Sequence, residues 1–281
     1  MRWEAERLLQ ELNIDALPID PFEIARKLNI EVRPLPASAG GASGMLLHIN
    51  GQFGICYPTH IDNEGFKNFS VSHEIGHYRL PGHLDAILDA KGQHVSNAGF
   101  HSIDSYEQEA DHFAAALLMP TKLFSAAAKQ AGEGLAAIEK LQVDCKTSLE
   151  ATGIRYVGLS REPIVLIRSE GQVIDYAIMS DPFMDIRGLD WIRKGTRLPM
   201  DSVTATFNAD KRRVERGERS EGTATLQSWF NGPHRQEVFE EVIGLGDYGR
   251  TLTVLTGIEM PDEDDDDEND IEDSWTPRFH R

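Results

Sequence analysis

The segment His73-Glu74-Ile75-Gly76-His77 constrains the fold of this chain more than any other. It reads H-E-x-x-H within a stretch that favours a helix, where residues four apart lie on one face. The two histidines can therefore direct ring nitrogens at one ion, and Glu74 lies beside them, where it can take a proton from a water on that ion. This pattern is typical of zinc hydrolases, whose third ligand comes from another element.

That third ligand is expected from a second helix, which the segment 105–119 predicts. Glu107 and Asp111 are four residues apart and share a face of this helix. We assign Glu107 to the metal and Asp111 to a hydrogen bond with the outer nitrogen of a ligand histidine, which fixes its tautomer. Glu109 lies about 160° around the helix from Glu107 and is the alternative metal ligand.

The remaining pattern predicts an α+β protein with a mostly helical first part. Asn50-Gly51, between two apolar runs, predicts a β hairpin over 44–57, and residues 81–104 read as a polar loop. We therefore expect a metallopeptidase-like domain over 1–160 that contains a small antiparallel hairpin or sheet. A smaller α+β module over 161–258, for which a sensory role is one expectation, and an acidic disordered tail over 259–281 would follow.

Charge and composition exclude several classes of protein. The formal charge is −18, of which ten acidic residues in 261–273 account for −10, so the rest of the chain carries −8. Direct binding to nucleic acid needs a basic surface and is not expected. The sequence contains no long apolar run, its start is charged rather than leader-like, and its cysteines, Cys56 and Cys145, lie far apart. Together these features favour a cytoplasmic protein with reduced thiols and no membrane span.

Two motifs resemble the ImmA/IrrE metallo-endopeptidases. Residues 68–77 are similar to the H-E-[LI]-G-H helix of that family, and residues 107–120 are similar to its E-x-E-A-[ND]-x-F-A-A-x-L-L-M-P helix. The pattern over 21–30 also resembles the family, and residues 147–156 lie where members have a helix-turn-helix-like element. The resemblance covers about residues 1–160.

The resemblance implies a zincin-like fold and one bound Zn²⁺, although Mn²⁺ or Fe²⁺ can occupy the same donors. It implies that His73, His77 and Glu107 are the metal ligands and that Glu74 is the general base. It also implies a protein substrate, a helix-turn-helix repressor, whose cleavage switches on stress-response or mobile-element genes.

Two other functions stay open. The chain could be a non-catalytic antirepressor that binds zinc as a structural pin, or a toxin–antitoxin partner that works beside a DNA-binding protein. A structural zinc site gains nothing from Glu74 and usually has a fourth Cys or His ligand, which argues against the structural pin.

Details of substrate binding are less constrained by the sequence. An extended substrate is expected to pair with an exposed edge of the 44–57 hairpin. Four further histidines are expected at exposed loop or helix positions and not as metal ligands. One of them, or Tyr78 or Tyr106, is expected to stabilise the oxyanion of the tetrahedral intermediate. The four are His83, His94, His101 and His112.

Overall fold

The protein is an α+β chain, as the sequence predicts, and it forms two compact units, Met1–Tyr156 and Val157–Arg281. The computed structural model contains twelve α-helices and two sheets within its described residues. These residues are 1–35, 41–61, 63–97, 104–233 and 235–259. Apart from its first residue, the predicted acidic tail lies outside the described residues.

The first unit combines eight helices with four strands, the last helix ending at the unit boundary. In chain order the elements are α1 (Arg2–Glu11), α2 (Pro21–Lys27), β1 (Glu31–Pro34), β2 (Ala42–Ile49), β3 (Gln52–Tyr57), α3 (Glu64–Arg79), α4 (His83–Ile87), β4 (Gln93–Asn97), α5 (Ser105–Leu118), α6 (Thr121–Ala131), α7 (Gly134–Cys145) and α8 (Leu149–Val157).

The four strands form one sheet in the order β1-β3-β2-β4, in which only β1 and β3 run parallel. The predicted hairpin is β2–β3, and its turn residues Asn50 and Gly51 have φ of 54° and 77°. A two-residue turn of this kind needs positive φ at both positions, which Asn and Gly adopt most readily. Both edges of β2 and β3 are paired, so the expectation that substrate pairs with this hairpin is wrong.

The prediction of a polar loop over 81–104 is also wrong, because α4 and β4 lie within it. Strand β4 is too polar to be recognised from its own residues, and it forms because β2 offers it a partner. His94 pairs with Leu46, and Ser96 pairs with Gly44. Residues 98–103, which include His101, lie outside the described part of the chain.

Helices α3 and α5 pack against each other in the core of this unit, where α3 also contacts the sheet. The cap of α3 is Asn63, whose side chain accepts a hydrogen bond from the Phe66 amide at 3.0 Å. The cap of α5 is Asp104, whose side chain accepts a hydrogen bond from the Tyr106 amide at 2.9 Å. The core of the unit is apolar and includes Leu46, Ile55, Val71, Ile75, Phe113 and Leu117.

The second unit is built on a five-stranded antiparallel sheet in the order β6-β5-β9-β8-β7. Its elements are β5 (Val165–Glu170), β6 (Val173–Met179), α9 (Asp181–Met184), α10 (Val203–Asn208), α11 (Lys211–Glu215), β7 (Arg219–Thr225), α12 (Leu226–Phe230), β8 (Glu237–Gly244) and β9 (Arg250–Thr256). Throughout the described residues, every helix is too short or too polar to cross a lipid bilayer.

Gly65, in the first turn of α3, is expected to be essential for the contact with the α7–α8 connection. A Cβ at this position would lie 2.6 Å from the carbonyl carbon of Thr147 and 2.7 Å from the amide nitrogen of Ser148. We predict that Gly65→Ala lowers the free energy of unfolding by about 1–3 kcal/mol, because backbone atoms cannot rotate away from the added methyl group. Urea unfolding measures the difference.

The matched control is Gly54→Ala in β3, where the nearest atom to an added Cβ lies at an ordinary distance of 3.6 Å. Equal stability of the Gly65 and Gly54 variants would contradict the prediction.

Candidate metal centre

Helices α3 and α5 bring three metal-binding side chains together. His73 Nε2 and His77 Nε2 lie 3.0 Å apart, and the Glu107 carboxylate oxygens lie 3.2 Å and 3.4 Å from them. Donors at about 2.0–2.1 Å from a tetrahedral zinc ion are separated by about 3.3 Å, so this set, the donor triangle, fits such an ion. A His-His-carboxylate set also fits Mn²⁺ or Fe²⁺.

The α3–α5 packing is close because Gly76 has no side chain. A Cβ there would lie 3.1 Å from Phe113 Cδ1 and 3.3 Å from Ala110 Cα. The glycine of the motif thus lets the backbones approach, and the imidazoles of α3 reach the acidic first turns of α5.

Each imidazole of the donor triangle is held through its outer nitrogen. His73 Nδ1 lies 2.8 Å from Asp111 Oδ1, so Asp111 is at the outer nitrogen of a candidate ligand. His77 Nδ1 lies 3.0 Å from His83 Nδ1, and His83 Nε2 lies 3.1 Å from Glu109 Oε2. Glu109, the alternative ligand, therefore contacts His83 and is not part of the donor triangle.

Glu74 is completely buried beside these residues. Ser96 Oγ, on β4, donates a hydrogen bond of 2.7 Å to Glu74 Oε1, whereas Glu74 Oε2 has no partner among the described residues. Gly44, on β2, makes room for the carboxylate, because a Cβ there would lie 2.3 Å from Oε1. One carboxylate oxygen is thus fixed by a hydrogen bond, and the other has no hydrogen bond from any residue that the structure describes.

Two of the four further histidines are not exposed, contrary to expectation. His83 is fully buried, and only 14% of the His94 side chain is accessible. His94 Nε2 lies 3.0 Å from Glu107 Oε1 and 3.3 Å from Ser96 Oγ. His112 is exposed, as expected.

The sequence contains only one weak signal for these missed residues. His94 and Ser96 are two apart, the spacing that places side chains on one face of a strand. No apolar alternation marked β4 as a strand, so the spacing had no context. His83 and Gly44 became recognisable only from their packing.

Burial and close contacts shift the pKa values of the donor triangle and of Glu74. Burial disfavours the charged form of His73, but hydrogen bonds to Asp111 and Glu107 outweigh it and raise its pKa to about 10. Burial lowers the pKa of His77 to about 4, with repulsion from His73 contributing. Burial raises the pKa of Glu74, whereas hydrogen bonds from three histidines hold the pKa of Glu107 below its usual range despite its partial burial. Such opposed shifts are typical of functional sites.

Comparison with known families agrees with this geometry. A family model described as the IrrE N-terminal-like domain of the M78 peptidases matches residues 25–156, a segment that contains the whole donor triangle. Residues 25–156 therefore contain an IrrE N-terminal-like domain of the ImmA/IrrE metallopeptidase family.

A solved structure of a Mycobacterium tuberculosis transcriptional regulator has a similar fold. The similarity covers 91% of this chain and 74% of the regulator, with a TM-score of 0.57 and 16% sequence identity. Comparison with curated proteins finds no match.

Zinc is expected to stabilise the folded protein, because the donor triangle joins α3 to α5. At a free Zn²⁺ concentration of about 100 times the dissociation constant, the free energy of unfolding should rise by about 2.7 kcal/mol. Glu107→Ala should lose most of this gain, since it removes one of three donors. Thermal unfolding with and without Zn²⁺ measures both effects. His112→Ala, on the same helix but exposed, is the control, and an undiminished gain in Glu107→Ala would contradict the prediction.

Proposed function

We propose that this protein is a zinc-dependent endopeptidase in which His73, His77 and Glu107 bind the metal and Glu74 is the general base. The observation that carries the proposal is Glu74 Oε2, a buried oxygen for which the described part of the chain offers no hydrogen-bond partner. A buried carboxylate oxygen without a hydrogen bond is costly, and such groups persist where they serve chemistry. Membership of a metallopeptidase family supports the same conclusion.

The side chains divide the reaction between them. A bound divalent cation supplies Lewis-acid chemistry, lowering the pKa of water and polarising a carbonyl group. Glu74 accepts the proton of the attacking water through Oε2 and passes it to the leaving amide nitrogen. Ser96 keeps Oε1 occupied, so the carboxylate cannot rotate its reactive oxygen away.

His94 is the residue that we assign to the carbonyl oxygen of the substrate. Its ring lies 4.7 Å from the ring of His77, and of the imidazoles around Glu107 it is the one that is not needed to complete the donor triangle. Its Nε2, which contacts Glu107 Oε1 in this structure, would transfer its hydrogen bond to the substrate oxygen and stabilise the charge that develops there in the transition state.

The edge of β4 is the proposed binding surface for the substrate backbone. Within the described residues β4 pairs only with β2, so its other edge offers main-chain donors and acceptors to an extended peptide. A peptide added there would run next to His94 and Ser96, beside the candidate metal centre.

The proposed substrate is a helix-turn-helix repressor in the cytoplasm, and its cleavage would switch on stress-response or mobile-element genes. The family resemblance supports this choice, and the similar fold of a protein named as a transcriptional regulator is consistent with it. A non-catalytic antirepressor or toxin–antitoxin partner is the alternative. The buried free oxygen of Glu74 argues against it, because binding alone does not need that group.

Glu74→Gln is expected to keep the metal but abolish cleavage, because an amide can still accept the hydrogen bond from Ser96 and cannot take a proton. The test is co-expression with a candidate helix-turn-helix repressor, followed by mass spectrometry for a discrete cut. Metal content of the purified variant is the control. Cleavage by Glu74→Gln would remove Glu74 from its role. If the wild type and Glu74→Gln relieve repression equally and neither cuts the repressor, the antirepressor function would be favoured.

His94→Leu is expected to lower kcat by about 10²–10³-fold with little change in KM, since the lost hydrogen bond forms mainly in the transition state. Steady-state kinetics on a peptide spanning the cleavage site measure both constants. His112→Leu should behave as wild type. A raised KM with unchanged kcat would instead make His94 a substrate-binding residue.

A further inference from the structure

A chain of three side chains leads from the donor triangle towards the surface. It starts at His77, whose Nδ1 lies 3.0 Å from His83 Nδ1. It ends at Glu109, whose Oε2 lies 3.1 Å from His83 Nε2. His77 belongs to the donor triangle, whereas His83 and Glu109 lie outside it.

Only one arrangement of protons gives each contact one donor and one acceptor with both rings neutral. His77 must keep the lone pair of Nε2 for the ion, so its proton lies on Nδ1. That N–H donates to Nδ1 of His83, which leaves the proton of His83 on Nε2. The second N–H then donates to the Glu109 carboxylate, which accepts only.

We propose that His83 and Glu109 are positioning residues of the candidate metal centre, which hold the His77 ring in its metal-binding tautomer and orientation. The proposal rests on the metal site of the proposed function. It assigns to Glu109 a role other than metal ligand. The two histidines of the centre are then held differently, His73 directly by the Asp111 carboxylate and His77 through a second imidazole.

The surroundings of His83 show that its position is built into the fold. Its side chain is fully buried, and the ring of Tyr106 packs edge-on against it with centroids 5.0 Å apart. Gly82, with φ of 81°, turns the chain immediately after α3 and returns His83 to His77. A buried imidazole needs partners for both nitrogens, and His77 and Glu109 supply them.

The outer end of the chain fits the same role. The Glu109 side chain is 39% accessible, so water can solvate its charge while one oxygen accepts from His83. A carboxylate that contacts both protein and solvent can orient the imidazole without the cost of a fully buried charge.

The test is metal affinity, measured by competition between the purified full chain and a chromophoric zinc chelator. His83→Leu removes both hydrogen bonds and should weaken zinc binding by about 10–100-fold, the usual effect of losing such a partner. His83→Gln should recover most of the affinity, because its amide offers an acceptor to His77 and a donor to Glu109. Glu109→Ala should weaken binding less, and His112→Ala should not change it.

A double variant tests whether His83 and Glu109 act through one connected set of hydrogen bonds or independently. Glu109→Ala should add little to His83→Leu, because the link to His77 is already broken. The tautomer of His77 in the metal-free protein, read from long-range ¹H–¹⁵N spectra, should shift in His83→Leu and return in His83→Gln. If His83→Leu does not fold, the zinc affinities of His83→Gln and Glu109→Ala decide.

Wild-type affinity in His83→Leu, or equal loss in His83→Leu and His83→Gln, would overturn the proposal. Wild-type affinity in Glu109→Ala would remove Glu109 from it. A wild-type chain that binds no zinc would overturn both this proposal and the metal site. A chain that binds zinc through these residues yet cleaves no protein would contradict only the proposed peptidase activity.

Discussion

The close approach of α3 and α5 is the contact on which the candidate metal centre depends. Gly76 sets it, because the next atoms of α5 lie within 3.4 Å of where a Cβ would be. At this separation the ring nitrogens of two imidazoles on α3 and the carboxylate oxygens of Glu107 on α5 lie 3.0–3.4 Å apart. The apolar contacts of Ile75 and Phe113 hold the helices at that distance, so core packing and donor geometry have the same origin.

Strand β4 adds what the two helices alone do not provide. It pairs with β2, the strand whose Gly44 leaves space for Glu74. In this position its side chains reach Glu74 through Ser96 and Glu107 through His94. One short strand thereby restrains the proposed base, contacts a proposed ligand and leaves an edge for a substrate. The segment that follows α3 and contains α4 and β4 is therefore part of the site.

The sequence was most informative where the chemistry follows from local spacing. His73 and His77 are four apart, so helical periodicity alone predicts that they share a face, and the β2–β3 hairpin was predictable because an Asn-Gly turn has few alternative conformations. Positions that depend on distant partners were not predictable. Ser96 lies in a strand that exists because β2 accepts it. The angular position of Glu109 on α5 indicated that it is not a metal ligand. Nothing in the sequence indicated that its partner is His83, which follows the turn after α3.

Many of the buried polar groups of the first unit, Met1–Tyr156, lie where a cation would offset the free-energy cost of burying them. Glu74, His77 and His83 are wholly buried, and His73 is 6% exposed. Burial lowers the pKa of His77, whereas for His73 the hydrogen bonds to Asp111 and Glu107 outweigh burial and raise the pKa. A divalent ion held by His73, His77 and Glu107 would supply a positive charge in contact with all three donors. The burial that shifts these pKa values would also strengthen the attraction between the donors and a cation.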